Sequence, residues 1–253
     1  WRANDRPAGG NEVRDEVWIV TSNDAGEPWR SHARAHQRFA DLLKVVAWQP
    51  IGFSQVQVSL GDDGWQDVQT HRMRGMANPI PLGGDLFRLK DLADDGLLRW
   101  LALRESYDRA FSPILGTLDF QGGYLEADLS QVSVGLEALG YQLCLDAGET
   151  EDAARREWLQ AKLQRILDEL PFQPVRDDWP RRAADVYNGL KHANRELPDS
   201  FDLSMVWRED IVVFRAWVAQ RLGMSGEKLK EALSTDRMVR TLAANGLGAN
   251  VFA

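Results

Sequence analysis

The sequence predicts an α+β protein, in which a mixed α/β N-terminal lobe is followed by an all-helical bundle. Three observations indicate this class. The stretch "FSQVQVSL" (53–60) alternates apolar and polar residues with the period of a β-strand. Beyond residue 124 the apolar residues recur at helical spacing, and turn-like separators such as "LPDSFD" divide the helical segments. The 253 residues suffice for one large domain or two modest ones, and we place a boundary between residues 1–122 and 123–253.

The N-terminal lobe is predicted to contain strands and one helix. The stretch "EVWIVTS" (16–22) has the branched and aromatic residues of a strand. Ser31 is a candidate N-cap for a helix that runs to about Val46. The strand at 53–60 is expected to pair with "WQDVQTH" (65–71) across the turn "GDDG".

The rest of the chain is predicted to be helical. A segment at 96–115 has helical spacing that Pro113 interrupts. Five more helices follow, at about residues 124–147, 151–170, 180–196, 203–222 and 226–244.

Charge and cysteine content limit the classes of function. The 38 acidic and 30 basic side chains give a formal charge of −8, which opposes a broad surface for nucleic-acid phosphates but leaves room for a local basic site. The single cysteine, Cys144, excludes an internal disulfide framework and any multi-cysteine zinc site, and suits a reducing compartment. No apolar run approaches the length of a membrane span, and the first residues contain no hydrophobic segment of the signal-peptide type. We therefore expect a cytoplasmic protein without a membrane partner, and, because the chain starts at Trp1, an incomplete N-terminal lobe.

The stretch "VYNGLKHANRELPD" (186–199) places an amide, a histidine and two cationic side chains within eight residues. On a helix over 180–196, with 100° per residue, an apolar face and a polar face separate. The apolar face consists of Ala183, Val186, Leu190 and Ala193, and the polar face of Arg181, Asn188, His192 and Arg195, with Lys191 on its flank. Gly189 costs about 1 kcal/mol relative to alanine inside a helix. Its presence indicates that a neighbouring helix, a second subunit or a ligand approaches the backbone there.

A histidine with a nearby amide and nearby cations suits phosphodiester chemistry. A neutral imidazole can take the proton of an RNA 2′-hydroxyl, and a protonated imidazole can protonate the leaving oxygen. Arg or Lys can stabilise the extra negative charge of the phosphorane. Such cleavage needs no metal ion and no other cofactor. The alternative is that these residues form only the hydrated outer face of an amphipathic helix.

The order of the helical segments resembles a known family. The segments "YLEADLSQVSVGLEALGYQL", "RILDELPF", "WPRRAADVYNGLKHANRELPD" and "FDLSMVWREDIVVFRAWVAQRLG" together resemble the C-terminal HEPN domain of ApeA-like proteins. The preceding "HARAHQRFADLLKVVAWQPIGFSQVQVS" and "RWLALRESYDRAFSPILGTL" resemble the later part of the ApeA N-terminal domain, so the resemblance covers about residues 17–223. It implies a metal-independent endoribonuclease of abortive anti-phage defence. The partners it implies are RNA, a second copy bound through the helical domain, and a phage-derived trigger.

The resemblance also implies site residues. In that family an arginine is followed by a polar residue, commonly Asn, and then by a histidine four to six residues after the arginine. Asn188 and His192 match the last two, which implies that His192 is the general acid or base and that Asn188 orients the phosphate or the histidine. The arginine position is held by Tyr187, five residues before His192, and a phenol cannot provide a fixed positive charge.

Replacement cations are available close to His192 in the sequence. They are Lys191, Arg195 and Arg181, acting in the same chain or across a dimer. Glu137, in the first HEPN-like helix, resembles a glutamate that orients the site, although an ordinary ion-paired carboxylate is the alternative. Two interpretations therefore remain. The protein is an endoribonuclease, or it is a catalytically inactive HEPN module that dimerises and binds RNA or a phage or protein partner.

A third hypothesis is a metal hydrolase. His32 and His36 are four residues apart on a predicted helix, a spacing that can place two imidazoles on one metal ion. Asp41 or His71 would have to supply a third ligand. Because the sequence does not make a third ligand evident, we predict no metal.

Overall fold

The computed structural model describes residues 2–5, 11–14, 18–22, 26–59, 64–68, 85–119 and 123–247. Within these ranges the protein has the predicted α+β class, with α-helices and two small antiparallel sheets. The strands are β1 (Arg2–Asp5), β2 (Asn11–Arg14), β3 (Gln57–Ser59) and β4 (Trp65–Asp67). The helices are α1 (Trp29–Ala47), α2 (Gly96–Ser106), α3 (Asp108–Gly116), α4 (Leu125–Asp146), α5 (Glu151–Arg156), α6 (Leu159–Asp168), α7 (Trp179–Lys191), α8 (Ser200–Arg221), α9 (Gly226–Thr235) and α10 (Arg237–Ala244).

Both sheets are two-stranded antiparallel pairs. β1 pairs with β2, and β3 pairs with β4 so that Val58 lies opposite Gln66. The second pair confirms the predicted hairpin, and Gly64 precedes β4 with a φ of 73°, a conformation that favours glycine. The strand predicted over 16–22 is wrong for residues 18–22, which form no strand, and its first two residues lie outside the described ranges. A strand requires a hydrogen-bonded neighbour, and a segment rich in branched and aromatic residues does not by itself supply one.

The chain divides into two compact units, Trp1–Phe39 and Ala40–Ala253. The boundary expected at residues 122–123 lies inside the second unit, where α3 packs closely on α4. A Cβ at Gly135 would lie only 2.6 Å from the carbonyl oxygen of Ala110. Gly135 therefore permits the two backbones to approach to a distance that any side chain would prevent.

α8 is the central helix of the second unit. Every residue from 209 to 219 is buried, and α4, α6, α7, α9 and α10 all contact this helix. An α-helix that is apolar on nearly all sides is stable only when neighbours cover it. Three charged residues, Glu209, Asp210 and Arg215, are nevertheless buried within it.

Two predicted long helices are each interrupted. The helix predicted over 151–170 is divided into α5 and α6, because Glu157 and Trp158 adopt extended backbone angles. The helix predicted over 226–244 is divided at Asp236, whose carboxylate accepts hydrogen bonds from the backbone N–H groups of Met238 and Val239. An aspartate that caps the next helix in this way competes with continuation of the previous one.

The predicted interruption at Pro113 is misplaced. The break falls at Tyr107, between α2 and α3, and Pro113 lies inside α3. Among the described helices, none is both long and apolar enough to cross a membrane.

Candidate functional site

The candidate site lies at the end of α7, which stops five residues before the predicted end at Glu196. Pro180 occupies the first turn, as expected for a residue without an N–H. The chain leaves the helix at His192, whose backbone is extended at φ −113° and ψ 109°. The loop then turns, since the N–H of Arg195 donates to the carbonyl of His192 at 2.9 Å.

Gly189 explains why the chain can turn back at this point. A Cβ on Gly189 would lie 2.9 Å from the Pro198 ring and 3.0 Å from the carbonyl oxygen of Glu196. The group that approaches Gly189 is thus the protein's own loop, and not one of the partners considered from the sequence. Any side chain at this position would push the loop away from the helix.

Because α7 ends early, the residues of the predicted polar face do not all lie on one helix. Asn188 is half-buried on the helix, whereas His192 and Arg195 lie exposed in the loop. A single helical face carrying all three was therefore a wrong prediction. His192 stays next to the helix end, because its N–H donates to the carbonyl of Asn188 at 3.0 Å.

The predicted apolar face is correct only in its first half. Ala183 and Val186 are buried and Leu190 is half-buried, but Ala193 is exposed. Ala193 follows the last helical residue, so helical spacing no longer determines where its side chain lies.

Tyr187, at the position of the family arginine, is a buried residue with only 9% of its surface exposed. The ammonium of Lys191 lies 5.5 Å from the centre of its ring, within the range of a cation–π contact. Burial raises the pKa of the Tyr187 phenol, and the nearby Glu137 carboxylate raises it further. Tyr187 is therefore neutral, and the positive charge beside it belongs to Lys191.

Glu137 makes an ion pair, which was the alternative considered from the sequence, but its partner Lys162 was not predicted. Lys162 donates to its carboxylate at 3.1 Å, and the Lys162 side chain is only 5% exposed whereas that of Glu137 is 39% exposed. Gly140 makes room for this lysine, since a Cβ there would lie 2.6 Å from both the Cβ and the carbonyl oxygen of Lys162. One signal was present in the sequence: Lys162 occupies the same buried face of α6 as Leu163 and Ile166.

Together these contacts define a group that we name the α4–α6–α7 cluster, formed by Glu137, Lys162, Tyr187 and Lys191. His192 follows Lys191 directly and is exposed to solvent. Arg181 is not brought into the cluster, because it lies ten residues before Lys191, about 15 Å along the helix axis. The cluster thus brings one carboxylate, one neutral phenol and two ammonium groups near the end of α7.

A substitution of Gly189 tests whether the loop packs against α7 as closely as the contact with Pro198 indicates. Gly189→Ala is expected to lower the free energy of unfolding by about 1–3 kcal/mol, because the clash with Pro198 outweighs the gain in helix propensity of about 1 kcal/mol. Gly116→Ala is the matched control, since a Cβ on Gly116 meets nothing within 4 Å, and it is expected to be neutral or stabilising. Urea unfolding of both variants measures the difference. A Gly189→Ala variant that is more stable than the parent would contradict the close packing of the loop.

The histidine pair lies in the first unit. The Thr21 hydroxyl is 2.8 Å from Nδ1 of His32 and 3.1 Å from Nε2 of His36. Burial lowers the pKa of His36, and the proximity of His32 lowers it further. Of the two third ligands considered, Asp41 accepts from Arg104 at 3.0 Å and His71 lies outside the described ranges. Among the residues that the structure describes, no group of three or more His, Cys, Asp or Glu side chains is arranged to hold a metal ion.

Comparison with known proteins gives no family for this fold and site. No family model, no curated protein and no solved structure matches the chain.

Proposed function

We propose that this chain is a HEPN-type RNA-binding protein that cleaves RNA without a metal ion, in abortive defence against phage. One observation carries the proposal: His192 is exposed immediately beside Lys191, whose ammonium lies over the ring of Tyr187. Arg195 is exposed in the same loop. These residues give an acidic chain a local basic site next to an accessible imidazole. The order of the helical segments, which resembles that of ApeA-like proteins, further supports the proposal.

The proposed chemistry is an attack by the 2′-hydroxyl oxygen of RNA on the adjacent phosphorus. His192 acts as the general base that takes the 2′-hydroxyl proton, or as the general acid that protonates the departing 5′-oxygen. Lys191 and Arg195 hold the phosphate and stabilise the additional negative charge of the phosphorane. Asn188, one turn before His192, orients the scissile phosphate or the imidazole. The expected products carry a 2′,3′-cyclic phosphate and a 5′-hydroxyl.

Lys162 and Glu137 are assigned a supporting role in this proposal. Their ion pair fixes the Glu137 carboxylate beside Tyr187, which in turn lies under the ammonium of Lys191. An ammonium held over an aromatic ring samples fewer positions than one in free solvent. The pair therefore positions Lys191 and need not touch RNA.

His192→Ala tests the nuclease. The variant is expected to lose RNA cleavage and toxicity in cells, because it has no group that can move the proton at the ribose. Cleavage by the parent is measured in the presence of a chelator, with detection of cyclic-phosphate ends. Lys228→Ala, which removes an exposed charge on α9, is the control and is expected to cleave like the parent. Cleavage by His192→Ala at the parent's rate would exclude the mechanism.

A second candidate function is a catalytically inactive HEPN module that dimerises and binds RNA or a phage or protein partner. The observation that favours it is the buried, neutral Tyr187 at the position where the family has a charged arginine. The two candidates differ in one measurement on the purified protein. Binding of RNA as a stable dimer, without cleavage of any RNA tested, would favour the inactive module. Cleavage that depends on His192 would favour the nuclease.

A further inference from the structure

Three side chains of the first unit meet in an arrangement that the proposed function does not use. The Thr21 hydroxyl lies within hydrogen-bond distance of one ring nitrogen from His32 and one from His36. The two histidines are separated by four residues on α1, so both rings leave the same side of the helix. All three side chains are partly shielded from solvent.

The single hydroxyl proton limits how the three groups can interact. A threonine hydroxyl donates one hydrogen bond and accepts others, and a neutral imidazole has one donor nitrogen and one acceptor nitrogen. When both rings are neutral, one nitrogen accepts the proton of Thr21 and the other donates its own proton to the hydroxyl oxygen. The two nitrogens are therefore directed at a common point, and they lie no more than about 6 Å apart given their distances of 2.8 and 3.1 Å from that oxygen.

We propose that Thr21, His32 and His36 form a binding site for a divalent ion of the late first-row transition metals, such as Cu²⁺ or Zn²⁺. Neutral imidazole nitrogen is a preferred ligand of these ions. The nitrogen that donates to Thr21 becomes a ligand when its proton moves to the other nitrogen of the same ring. Both rings then converge on the ion, and the hydrogen bonds between the Thr21 hydroxyl and the two nitrogens are lost.

The remaining coordination positions are assigned to water and to the Thr21 hydroxyl oxygen. In the described part of the chain no further histidine, cysteine or carboxylate completes a three-residue site, so the described residues supply two strong ligands. A site with two protein ligands keeps open positions. This site binds an ion that exchanges, and does not hold one permanently as a structural zinc site does.

Copper titration of the full chain tests the site, with Cu²⁺ as the probe because it has the highest affinity for such ligands in the divalent series. Isothermal titration is expected to show one site, and pulsed electron paramagnetic resonance is expected to show two imidazole nitrogens on the bound copper. His32→Ala and His36→Ala are each expected to weaken this site at least tenfold. His36→Gln keeps a hydrogen-bonding group toward Thr21 but removes the imidazole, so it separates loss of the ligand from loss of the local fold.

The control is His192→Ala, which removes an exposed imidazole of the second unit and is expected to leave the copper affinity of this site unchanged. Equal copper affinity in the parent and in folded His36→Gln would overturn the proposal. A copper spectrum with fewer than two imidazoles would also overturn it, because the three groups would then be only a hydrogen-bonded contact.

Discussion

Arg215→Met is expected to lower the free energy of unfolding by about 3–5 kcal/mol, the usual cost of breaking a buried ion pair by removing one partner. Arg215 is 1% exposed and donates to Asp236 at 2.8 Å. It also donates to the carbonyl oxygens of Val45 and Val46 at the C-terminal end of α1, at 2.9 and 2.6 Å. Methionine has similar length but no donor, so the buried Asp236 carboxylate would lose its charged partner and the carbonyls of Val45 and Val46 would each lose one donor. Urea unfolding measures the change.

Two variants check that the effect comes from the buried charge. Arg155→Met breaks an ion pair with Asp152 in which both side chains are at least 66% exposed, and it is expected to change stability by less than about 1 kcal/mol. The double variant Arg215→Met/Asp236→Asn is expected to lose less stability than the sum of its two single variants, because neither position of the pair then carries an unpaired buried charge. A parent-like stability of Arg215→Met would show that this guanidinium does not hold the helices together.

Glu209→Gln is expected to remove a pH dependence of stability that spans the pH range from 4.5 to about 7. Glu209 and Asp210 are neighbours on α8, and both side chains are buried. Glu209 bonds to Arg182 of α7, and Asp210 accepts from the indole N–H of Trp179 at 2.8 Å. One oxygen of each carboxyl group has no hydrogen-bond partner among the described residues.

Burial is the main cause of the raised pKa values of Glu209 and Asp210. It raises the pKa of Glu209 to about 7 although the charges of Arg182 and Arg176 oppose the shift, and the nearby Asp178 adds to the rise. It also raises the pKa of Asp210 well above its usual range. A buried carboxylate loses its hydration, and the protonated form loses far less.

The direction of the pH effect follows from the two pKa values of Glu209. Between its ordinary value of 4.5 and the folded value of about 7, the folded state binds the proton more tightly than the unfolded state. The stability contributed by protonated Glu209 is therefore complete below pH 4.5 and is lost as the pH rises through about 7. The parent should lose a few kcal/mol of unfolding free energy across this window relative to Glu209→Gln, which does not titrate.

The measurement is the difference between parent and variant in urea unfolding at several pH values between 4.5 and 8. The difference cancels the titration of shared groups except Asp210, whose pKa the Glu209 carboxylate also raises. Parallel curves would show that Glu209 ionises in the folded protein as it does in water. Arg182 and Trp179 belong to the first turns of α7, so Glu209 and Asp210 lie where this helix packs on α8.

Local patterns in the sequence were sufficient for the class of the fold and for most elements. The ends of α4 and α8 were predicted to within about three residues, and the β3–β4 pairing was predicted although β3 begins four residues after its predicted start, because alternation and helical spacing are properties of neighbouring residues. Helix ends were less accurate where a capping side chain divided a segment, as Asp236 does between α9 and α10. Capping requires a non-helical backbone at the aspartate. An aspartate can either cap a new helix or continue the previous one, so the residue type alone does not decide between them.

For the candidate site, the sequence predicts the residues but not their arrangement. It brought Tyr187, Asn188, Lys191 and His192 together, since they lie within six consecutive positions. The end of α7 before His192 could not be predicted from local spacing, because the contact of Gly189 with the Pro198 ring depends on how the loop folds back. The pairing of Lys162 with Glu137 was likewise decided by packing of α6 on α4, which brings together residues 25 positions apart. The spacing of residues along one helix does not show which residues of a neighbouring helix they contact. Contacts between helices form only when the buried faces of the two helices pack together.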